Sequence, residues 1–252
     1  MSNYTISIGE YNNTQLDTQH SLVGSLQIYN ATSWQQIFYN RGTPISSVFC
    51  QLPTNASSVT AVAFRPSTLD YSVALPILKL RIDPSDVFYN GPCVIRSSED
   101  AADAIQCNIF TKERIETYPV PQYGMMVYDE NGKAIFNSDC NILKIQEICQ
   151  FSLSSLPITI SHNTQNPFYI VPLAILVEYN VIPTSYLPIC AIRSFVPGIK
   201  KISATQFSIN WVLFNLEFLE DIFGGSNWEY VEEYTETATM IPNPFRVGLC
   251  TL

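Results

Sequence analysis

The sequence is short of charge, and this shortage limits the classes of protein to which it can belong. Only 14% of its 252 residues are Asp, Glu, Lys or Arg, whereas 46% are hydrophobic. Such a chain is too apolar to be disordered. The 13 Lys and Arg residues are scattered, Lys200 and Lys201 being the one adjacent pair, and the net charge is -9. Because a nucleic-acid backbone is bound by clustered cations, we expect no direct contact with nucleic acid.

The chain also lacks the signals of export and of membrane insertion. Its first residues, MSNYTISIGEYNNT, contain no basic leader followed by an apolar run. The longest uncharged segment, residues 148–177, is interrupted by Pro157, Pro167 and Pro172. We therefore expect neither a secretion signal nor a membrane span.

Metal-binding and cofactor motifs are missing as well. The seven cysteines are widely spread and contain no CxxC pair, and neither histidine has zinc-ligand spacing to such a pair. The cysteines are predicted to be free thiols that pack as small apolar residues. Four acidic residues are candidate metal ligands outside any calcium-loop pattern: Asp83, Asp86, Asp100 and Asp103. Phosphate-binding and dinucleotide-binding glycine patterns do not occur, so we expect no metal and no cofactor.

Histidine is scarce, and this argues against nucleophilic catalysis. Only His20 and His162 are present, both in polar segments predicted to be exposed loops, and no G-x-S-x-G sequence is found. A pair of catalytic carboxylates stays open, because its spacing is a property of the fold. The candidates, beside aromatic residues such as Trp228 and Tyr230, are Glu217, Glu220, Asp221, Glu229, Glu232 and Glu233. A solvated strand face explains them equally well, and we expect no enzymatic activity.

What the sequence does contain is a series of short segments in which polar and apolar residues alternate. Separated by turn residues at spacings of about ten, they predict an all-β, predominantly antiparallel fold of the sandwich or jelly-roll type. Residues 200–214 alternate most clearly, and the apolar run 169–177 predicts a strand covered on both faces. One or two short helices are expected, at residues 99–105, with Ser97 or Ser98 as the cap, and at residues 216–223. Residues 142–148 fit either a helix or a strand.

A domain boundary is predicted in the connector of residues 112–122, which is charged and contains proline. It would separate an N-terminal β lobe, residues 1–111, from a C-terminal β lobe, residues 112–252. A chain of this length also fits a single domain.

The strongest local signal is the stretch YGMMVYDENGKAIFNS, residues 123–138. Asn131 and Gly132 lie between two apolar runs, which is typical of a tight β-hairpin. A two-residue turn would pair Tyr128 with Ile135 and Val127 with Phe136. A three-residue loop would instead place Met126 opposite Phe136, and the sequence does not decide between the two registers.

This stretch resembles a hairpin that recurs in structural proteins of tailed-bacteriophage tails and tail tips. The resemblance covers a Tyr-Gly pair, a strand ending in Tyr-Asp, an Asn-Gly-Lys turn, Ile-Phe-Asn-Ser and a further apolar strand to about residue 148. The residues expected to build the hairpin are Gly124, Tyr128, Asp129, Asn131, Gly132 and Phe136. Proteins of that group are virion components, so the resemblance implies a place in the virion and supplies no catalytic residue.

These observations together predict a non-enzymatic structural subunit of a phage virion, in its tail or tail tip. A surface of neutral polar and aromatic side chains is easily covered by neighbours, so the expected partners are other virion proteins and copies of the chain itself. Two alternatives stay open. Trp34, Trp228 and the tyrosines could stack on a host-surface glycan, which would make the chain a tail adhesin, and a capsid or neck accessory protein would have the same composition.

Overall fold

A computed structural model describes the following parts of the chain. They are residues 6–8, 14–16, 24–40, 42–53, 59–100, 103–111, 123–128, 131–132, 134–137, 143, 145–153, 156–182, 189–220, 234–240 and 244–251. Every described pairing between strands is antiparallel.

The strands in chain order are β1 (Ile6–Ile8), β2 (Thr14–Leu16), β3 (Gly24–Ala31), β4 (Gln35–Phe38), β5 (Pro44–Gln51), β6 (Val59–Phe64), β7 (Ser72–Arg81), β8 (Phe88–Arg96), β9 (Ile105–Thr111), β10 (Met126–Tyr128), β11 (Ala134–Asn137), β12 (Ile145–Phe151), β13 (Ile158–Ser161), β14 (Phe168–Ile170), β15 (Ile175–Ile182), β16 (Ile189–Ser203), β17 (Gln206–Glu220), β18 (Tyr234–Met240) and β19 (Phe245–Cys250).

Two large sheets form the body of the protein. One has six strands in the order β12-β19-β14-β6-β9-β3. The other has nine strands, seven of them in the order β13-β17-β16-β7-β8-β5-β4, with β15 added to β16 and β18 added to β15. The two sheets pack face to face, so the predicted all-β, sandwich-like fold is confirmed.

The core lies between the two sheets and is rich in aromatic rings. Phe245 of the six-stranded sheet and Phe207 of the nine-stranded sheet are fully buried, and Phe151 contacts both, with centroid distances of 5.7 and 6.4 Å. Tyr169 packs edge-on against Phe207 at 5.1 Å. Burying each such side chain stabilises the fold by about 1.5–3 kcal/mol. The main core is therefore an apolar layer to which both sheets contribute, and a second, smaller cluster of buried residues is formed by Ala63, Phe110, Phe168 and Cys250.

The cysteines belong to this apolar interior. All six cysteines among the described residues are free and buried: Cys50, Cys93, Cys107, Cys149, Cys190 and Cys250. Burial raises the pKa of Cys149 and of Cys250 to about 11. For these six residues, the prediction of free thiols that pack as small apolar groups is confirmed.

The two predicted helices are wrong wherever the structure describes them. Residues 99–100 and 103–104 are not helical, and β9 begins at Ile105. Arg96 explains why: its guanidinium donates to the Asp103 carbonyl at 3.0 Å and to the Asp103 carboxylate at 2.6 Å, which holds this segment apart from a helix. Residues 216–220 belong to β17, and residues 145–148 form the start of β12. Residues 101–102 and 221–223 lie outside the described residues.

Each large sheet consists of two adjacent blocks of strands, one from before residue 112 and one from after it. The six-stranded sheet combines β3, β6 and β9 with β12, β14 and β19, and β16 of the nine-stranded sheet joins β7 through the pair Ile199 and Ser72. Each predicted lobe therefore contributes neighbouring strands to both sheets, and the blocks meet at the pairs Tyr169–Phe64 and Ile199–Ser72. In the described part of the chain, no helix is long and apolar enough to cross a membrane.

Candidate assembly surfaces

The hairpin that the sequence predicts is present as a separate two-stranded sheet of β10 and β11. Val127 pairs with Phe136, as the two-residue turn predicts, but Tyr128 pairs with Ala134 and not with Ile135. The register shifts between Val127 and Tyr128, which makes Ile135 the additional residue of a β-bulge. A bulge lets the strands pair on both sides of one unpaired residue, and a simple count from the turn does not anticipate it.

The turn itself has the geometry that Asn-Gly indicates. Gly132 has a φ of +77°, in the left-handed region that favours glycine. The Tyr128–Ala134 pair is the one that the shifted register of a three-residue loop predicts, but beyond the bulge Met126 pairs with Asn137 and not with Phe136. Gly124 and Asn131 are exposed, whereas Asp129 lies outside the described residues.

Large side chains are exposed at and before the hairpin. Tyr123 is 88% exposed, Met125 41% and Tyr128 50%, and the Tyr128 hydroxyl donates to the sulfur of Met126 at 2.8 Å. Within the described residues, neither β10 nor β11 pairs with a strand of the two large sheets. The hairpin is therefore a separate two-stranded sheet and is not the element that organises the sandwich.

The nine-stranded sheet continues into a four-stranded region that we call the arm: β15, β18, residues 189–196 of β16 and residues 212–220 of β17. Within it, β16 pairs with β15 on one side and with β17 on the other, and β15 pairs in turn with β18. At its β17 edge, the Asn40 side chain donates to the Phe218 carbonyl at 2.7 Å and accepts from the Phe218 N–H at 2.9 Å. A side-chain amide thus covers part of that edge as a strand would.

The arm carries apolar side chains on both faces. Cross-strand partners share a face, so Leu176 and Phe195 lie on one face, and Tyr179 and Ile192 lie on the other. All four side chains are half-buried, and none of them packs against the core between the sheets. In an ordinary sandwich strand one face is buried and the other is polar. The arm departs from that pattern and presents apolar surface in two directions.

The length of the strands is a signal for the arm that neither the composition nor the alternating pattern revealed. β16 and β17 each have 15 residues. Strands of globular proteins usually have about 3–10 residues, so a pair this long extends past the body of the sheet. The run 169–177 is not one strand covered on both faces. It is divided between β14 and β15, with residues 171–174 outside any strand.

A buried ion-pair network involves one of the two tryptophans considered for sugar stacking. The Arg96 side chain is fully buried and binds both carboxylate oxygens of Asp70, each at 2.9 Å. Its guanidinium also lies over the Trp34 ring, 4.7 Å from the centroid. Trp34 is half-buried and packs on the core, so its ring is already engaged inside the protein. Trp228 lies outside the described residues.

His162 is buried, so the prediction that it lies in an exposed loop is wrong. Its Nε2 atom is 2.9 Å from the Tyr169 hydroxyl, and its ring also contacts Phe207 at 5.9 Å. Burial lowers the pKa of His162, and the Glu147 carboxylate opposes part of that shift. The polar neighbours of His162 indicated exposure, but the ring is buried with its Nε2 atom against the Tyr169 hydroxyl. His20 lies outside the described residues.

Glu147 organises the loop that follows His162. Its carboxylate accepts hydrogen bonds from the Asn163 N–H at 3.0 Å, from the Thr164 N–H at 3.1 Å and from the Thr164 hydroxyl at 2.9 Å. Partial burial alone would raise the pKa of Glu147, but these hydrogen bonds outweigh it and hold the pKa below its usual value. The carboxylate has a structural partner at each oxygen.

The other acidic candidates are dispersed. Asp83 accepts from the Ser85 N–H at 2.7 Å in a local turn, Asp86 forms an ion pair with Arg81, and Asp103 binds Arg96. Among the described residues, no group of three or more His, Cys, Asp or Glu side chains could hold a metal ion. Glu217 is half-buried on the arm opposite Ile192, Glu220 ends β17, and the remaining carboxylate candidates lie outside the described residues.

Comparison with known proteins gives no relative. No family model matches the chain, and no curated protein and no solved structure matches it.

Proposed function

We propose that the chain is a non-enzymatic structural subunit of a bacteriophage virion, placed in its tail or tail tip. The observation that carries the proposal is the arm, whose Leu176–Phe195 and Tyr179–Ile192 pairs present apolar surface on opposite faces. Surface of this kind is stabilised when another polypeptide covers it. The phage assignment is supported by the likeness of the β10–β11 hairpin to those of tail proteins.

Assembly would use two kinds of contact. The first is burial of the half-covered side chains on the arm, each of which stabilises a complex by up to about 1.5–3 kcal/mol. The second is strand addition. Among the described strands, β18 pairs with β15 alone, and a further strand would add at its second edge through main-chain donors and acceptors. The occupants are neighbouring copies of this chain or other virion proteins.

The proposal is tested on the virus particle. Virions purified from the phage that encodes the chain should contain it in a fixed copy number, and an image reconstruction should place it in the tail or tip, with the arm against a neighbouring subunit. A position on the capsid or neck would contradict the tail assignment and leave the structural role. Absence of the chain from purified particles would contradict the whole proposal.

A further inference from the structure

A small pocket opens where the segment after β6, the start of β14 and the end of β16 meet. Its volume is about 260 Å³, and its lining residues are Arg65, Pro66, Asn166, Pro167, Tyr169 and Lys201. It lies away from the arm, and neither the hairpin nor the proposed assembly contacts use it. Two of its six lining residues carry positive charge.

Both cations have donors that the protein leaves unused. The Arg65 guanidinium lies over the Phe168 ring, 4.5 Å from the centroid, which orients it without using its N–H groups. The Lys201 ammonium donates one hydrogen bond, to Asn166 Oδ1 at 2.9 Å. Among the described residues, neither cation forms an ion pair with a carboxylate. Arginine has five donors and lysine three, so several remain for a ligand.

The described carboxylates on adjoining segments do not neutralise the pocket. Glu147 is occupied by the Asn163 and Thr164 donors, and Asp70 is occupied by Arg96. The chain as a whole has a net charge of -9, with only 13 basic residues. Within the described residues, the pocket therefore brings together two cations that no carboxylate neutralises.

The walls of the pocket are held in place from several directions. The Asn166 N–H donates to the Ala204 carbonyl and the Lys201 N–H donates to the Ser67 carbonyl, at 2.9 and 2.8 Å. Tyr169 is fixed through its hydroxyl by His162. Such anchoring means that little order has to be imposed when a ligand enters, which favours binding.

From this geometry we infer that the Arg65–Lys201 pocket binds a small ligand through a carboxylate or sulfate group. A guanidinium presents paired donors that match two oxygens of an oxyanion, and the lysine adds a point charge. The pocket lies just below the range of about 300–1,000 Å³ that accommodates drug-sized ligands, so the ligand is no larger than one small organic acid or one acidic sugar unit. Binding there is a property of the single chain and does not depend on the virion assignment.

The test is a titration of the full chain at constant ionic strength, with sodium chloride as the balancing salt. The probes are sodium sulfate, sodium glucuronate and neutral glucose, followed by isothermal calorimetry or by NMR shifts of the lining residues. Arg65→Gln and Lys201→Gln remove one cation each. Lys200→Gln is the matched control, because Lys200 is adjacent in sequence but donates to the Leu69 carbonyl and does not line the pocket.

We expect saturable binding of sulfate or glucuronate. The affinity should weaken about tenfold or more in Arg65→Gln and Lys201→Gln, and little in Lys200→Gln. Preference for glucuronate over sulfate would identify an organic acid as the ligand, and the reverse preference a sulfate ester. The inference is overturned if neither anion saturates, if glucose binds as well as glucuronate, or if Lys200→Gln weakens binding as much as the two lining variants. Unchanged thermal melting of each variant shows that the fold is intact.

Discussion

Gly198 lies where β16 meets both β17 and β7, and it leaves no room for a side chain. A Cβ atom at this position would be 2.5 Å from a methyl group of Val212 and 3.3 Å from the Ser72 nitrogen. One of these neighbours is backbone and cannot move aside without disturbing the pairing of Ile199 with Ser72. Glycine is therefore required at position 198, because β17 and β7 both approach β16 closely there.

We expect Gly198→Ala to lower the free energy of unfolding by about 1–3 kcal/mol, the usual cost of overpacking a core. Denaturant unfolding followed by fluorescence measures it. Gly248→Ala is the matched control, since a Cβ there would meet Ile145 at an ordinary 3.5 Å. Equal effects of the two substitutions would show that loss of glycine in a strand, and not the contact with Val212, sets the cost.

His162 gives the stability a pH dependence of known sign. Its pKa is lower in the folded protein than the usual 6.5, because of burial. Below that value the unfolded chain therefore binds more protons than the folded one, and the free energy of unfolding falls as the pH decreases. The contribution of neutral His162 to the free energy of unfolding is fully present above pH 6.5. It is lost as the pH falls from 6.5 through the pKa of His162 in the folded protein.

We expect the wild-type protein to lose more stability than His162→Gln when the pH is lowered from about 7 to about 5. Urea unfolding at a series of pH values measures the two slopes. Glu147, whose pKa is lowered from 4.5, acts in a separate and more acidic window: its contribution is lost only as the pH falls through its folded pKa. Parallel slopes above that window would contradict the role of His162.

At the scale of the elements, the alternation of polar and apolar residues predicted well which residues form strands. It predicted poorly how those strands pair and which side chains are buried. Residues 200–203 end β16 and residues 206–214 begin β17, but the alternation did not indicate the turn at residues 204–205 between them. The segment 99–105 has a capping serine and three alanines, but tertiary hydrogen bonds from Arg96 override that local preference. The bulge at Ile135 depends on how the facing strand β10 pairs, and the burial of His162 depends on its contacts with Tyr169 and Phe207. Neither is determined by the local pattern of residues. A single sequence contains no direct record of such partners.

The hairpin provides a prediction at this scale. Gly132 has a positive φ with nothing within 4 Å of a would-be Cβ, so only backbone strain opposes a side chain there. We expect Gly132→Val to destabilise the hairpin by about 1 kcal/mol or more, and Gly132→Asn by less, since asparagine tolerates this region. Because β10 and β11 form a sheet of their own, amide hydrogen exchange of Val127 and Phe136 is the sensitive measurement. Equal exchange in both variants would contradict the strained turn.

The whole molecule combines a well-covered sandwich with an incompletely covered arm. Aromatic rings from both sheets fill the core, the buried Arg96 guanidinium binds Asp70, and His162 Nε2 pairs with the Tyr169 hydroxyl. Leu176, Tyr179, Ile192 and Phe195 of the arm are half-buried and do not pack against this core. Composition predicted a surface that neighbours could cover, but it could not locate that surface, because apolar residues of the core and of the arm look alike in sequence.

Self-association through the arm is the prediction that this contrast supports. We expect sedimentation of the purified chain to show concentration-dependent association, weakened about tenfold or more by the double substitution Tyr179→Thr with Ile192→Thr, which removes apolar area but keeps residues that favour strands. Thr159→Asp, on an exposed position of β13, is the control for a changed strand surface. If the double variant associates as strongly as the wild type, the Tyr179–Ile192 face is not the contact. If only the control weakens association, charge at the edge near β13 governs it, and the arm does not.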